Sequence, residues 1–281
     1  MNGILLLYKQ KGPTSFETIE KLKKKFNLKK VGHCGTLDPL AEGLLIALIN
    51  NATKINNFLN YEKEYEIEVK FGFATETDDM EGKIIKNIDV PVNLENSIRE
   101  IIPSFIGEIE QIPPRYASIK IQGKKLYEIS RQGKTVDIKP RKVFIKSIDI
   151  INCTNDTARL KVICRTGAYM RALARDLGDK LNSAATLFYL KRTRIGKFTT
   201  NESFFIDTIS NLEENIISIN DALYEMPPIY LDEDAYKKVK NGASIGNNSK
   251  TYTGFCKLIY NNEVIAIGQI FGNTIEIKRG I

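Results

Sequence analysis

The chain has 281 residues, 42% of them hydrophobic, with 41 Lys and Arg against 34 Asp and Glu, a formal charge of +7 and a single histidine. That length supports one large domain and a small one, each with its own core, and the charge favours an anionic partner without requiring one. Four cysteines without a C-x-x-C pair and one histidine exclude a structural zinc site, and no apolar run approaches a membrane span, so a cytoplasmic protein with reduced thiols, no metal and no membrane association is expected.

Residues 4–8 read as a buried strand, and Thr14-Ser15-Phe16-Glu17 has the capping-box spacing that opens a helix. Phe16, Ile19, Leu22 and Phe26 give that helix an apolar stripe, while Lys21, Lys23, Lys24, Lys25, Lys29 and Lys30 crowd its other faces and C-terminal end. Gly32-His33-Cys34-Gly35-Thr36-Leu37-Asp38-Pro39 follows. Two glycines permit unusual backbone angles and Pro39 pushes Asp38 out of the helical region, so the segment reads as a rigid loop that aims one carboxylate.

Residues 44–49 read as a second buried strand and 52–59 as a short helical segment. From residue 65 to 73, Tyr65, Ile67, Val69, Phe71 and Phe73 alternate with Glu66, Glu68, Lys70 and Gly72, so Tyr65 points inward with the apolar face. A turn at 78–82 leads to a strand over 83–88, and a helix carrying Ile98, Ile101, Ile102 and Phe105 is interrupted by Pro103. Residues 107–112 are expected to be extended, 126–131 to form one or two helical turns closed by Gly133, and 143–151 to pair with 157–164. Met170, Leu173, Leu177 and Leu181 define a helix, so Tyr169 and Arg171 sit in its first turn, behind a glycine-containing loop. Residues 187–194 are extended and end in the basic cluster Lys191, Arg192, Arg194 and Lys197. Pro227-Pro228 suggests a boundary, giving domains 1–224 and 225–281, the second a helix over 234–241 and a small antiparallel module of strands over 255–260, 264–271 and 274–278.

An Asp before Pro often does no more than start a turn. A carboxylate used as base or nucleophile must instead stay ionised in a cleft, which calls for a cation; Arg171 is the candidate. No G-x-S-x-G elbow exists to form a hydrolase triad with His33 and Asp38, and the 32–43 segment fits neither a dinucleotide fingerprint nor a P-loop. A paired-carboxylate glycosidase using Glu42 or Asp78 remains an alternative, without tryptophan to stack a sugar.

Several ordered motifs resemble the TruB family of bacterial tRNA pseudouridine synthases over nearly the whole chain. They are Lys11-Gly12-Pro13-Thr14-Ser15, residues 32–45, Lys63-Glu64-Tyr65, residues 113–120 with 123–128, Cys164-Arg165-Thr166-Gly167-Ala168-Tyr169-Met170-Arg171, and Leu190-Lys191-Arg192-Thr193. The resemblance implies an α+β fold with a mixed, mainly antiparallel central sheet flanked by helices, and a small C-terminal β-rich, PUA-like RNA-binding domain. It implies isomerisation of uridine 55 in the TΨC stem-loop of tRNA on a flipped-out base, without cofactor or metal. It further implies Asp38 as the catalytic aspartate, Tyr65 as the aromatic stacked on the base, Arg171 as its ion-pair partner, Tyr169 and Leu190 as pocket residues, and His33 in contact with the RNA loop. Lys11, Lys191 and Arg192 are expected on the RNA backbone. A monomer with no obligatory protein partner is expected; a tRNA-binding or folding helper is the alternative.

Overall fold

The computed structural model describes residues 1–59, 61–117, 120–121, 124–125, 137–247 and 252–281. The expected helical turns at 126–131 lie outside them.

The apolar run at the start forms β1 (Gly3–Lys9), and Thr14 caps α1 (Ser15–Lys25) through a capping box with Glu17. β2 (Val31–Cys34) and β3 (Glu42–Ile49) flank the Asp38 segment. Then come β4 (Lys63–Phe71), β5 (Phe73–Thr75), β6 (Ile84–Asn87) and α2 (Leu94–Ile101), whose last turns tighten to a 3₁₀ segment at Pro103. β7 (Gly107–Gln111), the short β8 (Lys120–Ile121) and β9 (Lys124–Lys125), β10 (Arg141–Cys153) and β11 (Thr157–Cys164) lead to α3 (Met170–Lys180) and β12 (Ala185–Ile195). β13 (Phe198–Thr199) and the single-turn α4 (Ile219–Ala222) complete the larger unit.

The central sheet runs β1-β3-β12-β4-β11-β10-β7, with β2 added to β3 and β13 to β12. All of its pairings are antiparallel except β12 with β3, so the fold is α+β on a mixed, mainly antiparallel sheet. Period-two alternation sends Tyr65, Ile67, Val69 and Phe71 to one face, where Leu160, Val162, Leu187 and Leu190 meet Met170, Leu173, Ala174 and Leu177 of α3. Those α3 positions recur at helical spacing, which is why one helix face covers the sheet.

β3 carries the site. Its first residues pair with β12, Lys191 opposite Glu42, and its last with β2, Cys34 opposite Ile46. The 35–41 connection leaves between these two partners. Gly43, at φ 105°, permits the close crossing: a Cβ there would lie 2.3 Å from the carbonyl oxygen of Arg192. The segment expected to be a loop from residue 32 is therefore partly strand, because Gly32, His33 and Cys34 find ladder partners on β3; of its two glycines only Gly35 has a positive φ.

The C-terminal part contains β14 (Pro228–Tyr230), α5 (Glu233–Lys240), β15 (Ile245–Gly246), β16 (Gly254–Tyr260), β17 (Glu263–Phe271) and β18 (Thr274–Gly280). They form a second sheet, β14-β16-β17-β18-β15, antiparallel apart from β14 with β16. Pro228 enters this sheet directly. Ile259, Val264 and Ile267 share a core with Leu59, Tyr61, Ile219 and Leu223, and the Lys257 ammonium donates to the carbonyls of Asn220 (2.9 Å) and Leu223 (3.2 Å). The two sheets are thus packed together rather than joined by a free linker.

Candidate active site

Asp38, Tyr65, Tyr169, Arg171 and Leu190, drawn from distant parts of the chain, line one cleft of about 270 Å³. The Arg171 Nε donates to Asp38 Oδ2 across 2.8 Å, with Arg171 only 6% exposed and the Asp38 side chain 29%. The remaining guanidinium nitrogens reach Asp79 Oδ2 (3.4 Å) and the carbonyls of Thr77 (3.3 Å) and Tyr116 (3.4 Å), so Arg171 is held by three segments at once. Its place in the first turn of α3 fixes its base, because the Tyr169 N–H donates to Gln111 Oε1 (2.9 Å) and the Tyr169 carbonyl accepts from Gln111 Nε2 (3.3 Å).

Burial pushes the Asp38 carboxyl above the usual carboxylate range; Arg171 pulls it back, and the Asp79 carboxylate pushes it up again. The cation expected from the sequence is present but shared between two carboxylates, so it does not fully cancel the cost of burial. Asp79 was not legible as a site residue. It sits in a polar turn whose composition reads as solvent-facing, and only the fold brings it beneath Arg171.

The Asp38 loop is pinned from below. Lys9, at the end of β1, is 0% exposed, and its Nζ donates to the carbonyls of Ala41 (2.7 Å), Asp38 (3.1 Å), Gln10 (3.2 Å) and Pro39 (3.4 Å). Burial lowers its pKa to about 8. From the other side the Ser15 hydroxyl accepts from the Leu37 N–H (2.8 Å) and donates to the Leu37 carbonyl (3.0 Å). The signal for Lys9 was a lysine in phase with the buried residues of a strand, which reads as the strand's polar end unless its partners are known.

Tyr65 stands at the third position of β4, buried; burial raises its pKa and the nearby Arg192 charge opposes the rise. Tyr169 is half-buried at the mouth and Leu190 is buried on β12. His33 lines an adjoining cleft of about 780 Å³ that shares Thr36, Leu37, Asp38 and Arg171 with the first. Burial and Arg192 lower the His33 pKa, which favours the neutral ring, and its Nδ1 has no hydrogen-bond partner among the described residues.

Two residues expected on the RNA backbone lie on opposite faces of the sheet. Arg192 is 1% exposed, with Nε donating to the Leu44 carbonyl (2.8 Å) and Nη2 to the Gly35 carbonyl (3.0 Å), so it braces the cleft floor instead of facing a phosphate. Lys191, one residue earlier, points to the opposite face of the sheet, its Nζ 5.8 Å from the Tyr8 ring. Lys11 is exposed beside the Asp38 loop, where the Gly12 N–H donates to the Pro39 carbonyl (2.8 Å). The alternative carboxylate partners are also turned away: Glu42 accepts from the Tyr189 hydroxyl (2.7 Å), and Asp78 is paired with Arg175 (2.9 Å). Among the described residues no group of His, Cys, Asp and Glu has the arrangement of a metal site.

Residues 23–170 match the family described as TruB family pseudouridylate synthase (N terminal domain). The chain belongs to the TruB family. It is accordingly an isomerase that acts on RNA. Similar TruB proteins include "tRNA pseudouridine synthase B" of Clostridium kluyveri, 38% identical over 96% of each chain, and the protein of the same name from Aquifex aeolicus, 34% identical over 99% of each. Among solved structures, the chain in "Crystal Structure of a Cbf5-Nop10-Gar1 Complex" is similar at TM-score 0.76 and 22% identity, covering 99% of this chain and 84% of that one. At that identity the likeness is one of fold, and it extends across both sheets. The TruB match ends at Met170, one residue before Arg171, so the ion pair with Asp38 joins a residue inside the matched segment to one just beyond it.

Proposed function

We propose that the chain is a tRNA pseudouridine synthase that converts uridine 55 of the TΨC stem-loop to pseudouridine, acting in the cytoplasm as a single chain. The observation that carries this is the Asp38–Arg171 pair, 2.8 Å apart in a cleft walled by Tyr65, Tyr169 and Leu190. Relatives named tRNA pseudouridine synthase B support tRNA as the substrate.

The reaction breaks the bond between N1 and C1′, turns the base and rejoins it through C5. Those atoms are out of reach inside a stacked loop, so the uridine must first swing out, at a cost of a few kcal/mol. The Tyr65 ring on the cleft floor supplies a stacking surface that offsets much of this cost, a base on an aromatic ring being worth about 1–3 kcal/mol. The neutral His33, in the adjoining cleft, fills the place the base vacates. Asp38 then faces the ribose, where its carboxylate either attacks C1′ or takes the C2′ proton. Arg171 keeps it ionised and fixes its direction. The second sheet, packed against the first, is a PUA-like module that holds the distal RNA, and exposed lysines such as Lys11 meet its phosphates.

The test is incubation with an unmodified tRNA transcript, followed by mapping of isomerised uridine. Asp38→Asn should bind tRNA and yield no product. Product from that variant would remove Asp38 from the mechanism, whereas binding without product from the wild type would favour a tRNA-folding helper.

A further inference from the structure

The cleft contains a buried lysine to which the proposed reaction has so far given no part. Lys63, the first residue of β4, is 7% exposed and lines the cleft with Asp38 and Tyr65. Its Nζ donates to the Thr166 hydroxyl (3.1 Å), and among the described residues no carboxylate lies within ion-pair distance of it. The acids beside it in sequence are turned away by strand alternation: Glu62 pairs with Lys146 (2.9 Å) and Glu64 with Arg194 (3.5 Å). Burial and the neighbouring Arg192 both disfavour the charged form of Lys63.

An ammonium offers three donors, and a buried cation without an anion is costly to keep. Folds retain such a group where a ligand completes it. The cleft is lined by four cationic side chains, Lys63, Arg165, Arg171 and Arg192, and a single carboxylate, Asp38, which Arg171 already holds. Arg192 is committed to backbone carbonyls, and Arg165 lies over the Phe144 ring at 4.4 Å. Among the described residues, Lys63 is the buried cation in this set with neither a carboxylate nor a backbone carbonyl as hydrogen-bond partner.

We propose that Lys63 is a substrate-contacting residue whose ammonium donates to a carbonyl oxygen of the pyrimidine and stabilises the negative charge on the detached base. This rests on the reading of the reaction as pseudouridine synthesis. When the N1–C1′ bond breaks, its electron pair leaves with the ring, and the resulting uracil anion carries that charge on N1, O2 and O4. Bonding through C5 returns a pair to C1′; the C5 proton is lost and N1 gains one, so the product has the mass of the substrate. A fixed ammonium beside O2 or O4 lowers the energy of the charged stage without having to reorganise. A contact at O4 would also select uracil over cytosine, which presents an amino donor at position 4, whereas a contact at O2, common to both bases, would not.

The experiment uses the full chain in excess over unmodified tRNA, so that a single turnover is followed, with Lys63→Met and Lys63→Gln beside the wild type. Loss of one preorganised donor should slow conversion ~100-fold or more, while tRNA affinity and melting temperature stay near those of the wild type. Transcripts with 2-thiouridine or 4-thiouridine at the target weaken one acceptor at a time. One of them should change the wild-type rate and leave that of Lys63→Met almost unaffected, a non-additivity that a purely structural lysine would not produce. Unimpaired turnover by Lys63→Met, or a wild type indifferent to both thio substitutions, overturns the assignment of Lys63. A wild type that makes no pseudouridine overturns the reading of the reaction, and the Lys63 proposal with it.

Discussion

Replacing Lys9 with methionine separates two energies that nearly cancel in the native protein. The Lys9 ammonium donates to four backbone carbonyls around the Asp38 loop, yet burial has lowered its pKa from 10.5 to about 8. That difference corresponds to about 3 kcal/mol against the charged form at neutral pH, at roughly 1.4 kcal/mol per unit. Methionine relieves this cost but strands the Ala41 carbonyl, a loss of about 1–3 kcal/mol; the Asp38 and Pro39 carbonyls keep the N–H groups of Ala41 (3.1 Å) and Gly12 (2.8 Å). Near pH 7 the two effects offset, and the variant should be about as stable as the wild type. The sign of the pH dependence follows from linkage. Above pH 8 the unfolded wild type still binds the Lys9 proton that the folded protein has released, so wild-type stability rises with pH relative to the variant until the unfolded pKa is reached. Urea unfolding of both proteins from pH 7 to 9.5 should show their stability difference flat at first and then growing by roughly 1.4 kcal/mol per pH unit above 8. Taking the difference cancels the tyrosines, which titrate in both proteins. Parallel stability curves would refute the claim that Lys9 is charged and strained beneath the loop.

Two further substitutions should move the pH dependence of catalysis in opposite directions. Arg171→Ala removes the cation that holds the Asp38 carboxyl down, so the acid limb of the single-turnover rate should shift to higher pH along with a loss of rate; an unmoved limb would dissociate the two residues. Asp79→Asn removes the neighbouring anion that pushes Asp38 up and leaves Arg171 to Asp38 alone, so the acid limb should shift to lower pH; a shift upward would mean that Asp79 acts mainly by holding Arg171 in place.

Local chemistry was well written in the chain. Alternation in β4 put Tyr65 inward, the capping box started α1 at Ser15, and helical spacing after Gly167 placed Arg171 in the first turn of α3. Pairings across long separations were not legible in the same way. β2 reads as loop because four residues that include a glycine and a histidine lack a periodicity, and it becomes strand only because β3 offers a free edge. Lys191, Arg192, Arg194 and Lys197 read as one basic cluster, whereas strand alternation sends Lys191 to one face and Arg192 to the other, where backbone carbonyls hold its guanidinium in place. Asp79 and Lys9 escaped for a related reason: a charged side chain carries no sign of a partner far along the sequence, and each acquires its role only when the sheet closes.

The cations of the site are consequently not interchangeable, although composition treats them alike. Lys9 and Arg192 are satisfied by backbone carbonyls, which carry no net charge, so they add positive potential beneath the cleft while being fixed in place. Arg171 is neutralised by Asp38 and Asp79 and contributes direction more than field. In the proposed reaction, what reaches the nucleobase is a potential from groups that cannot rearrange to follow it. A neutral uridine gains little from such a field when it arrives, whereas the same ring gains a great deal once its bond to the ribose is broken and it has become an anion. The arrangement therefore favours the detached base over the bound substrate, the difference on which rate enhancement depends.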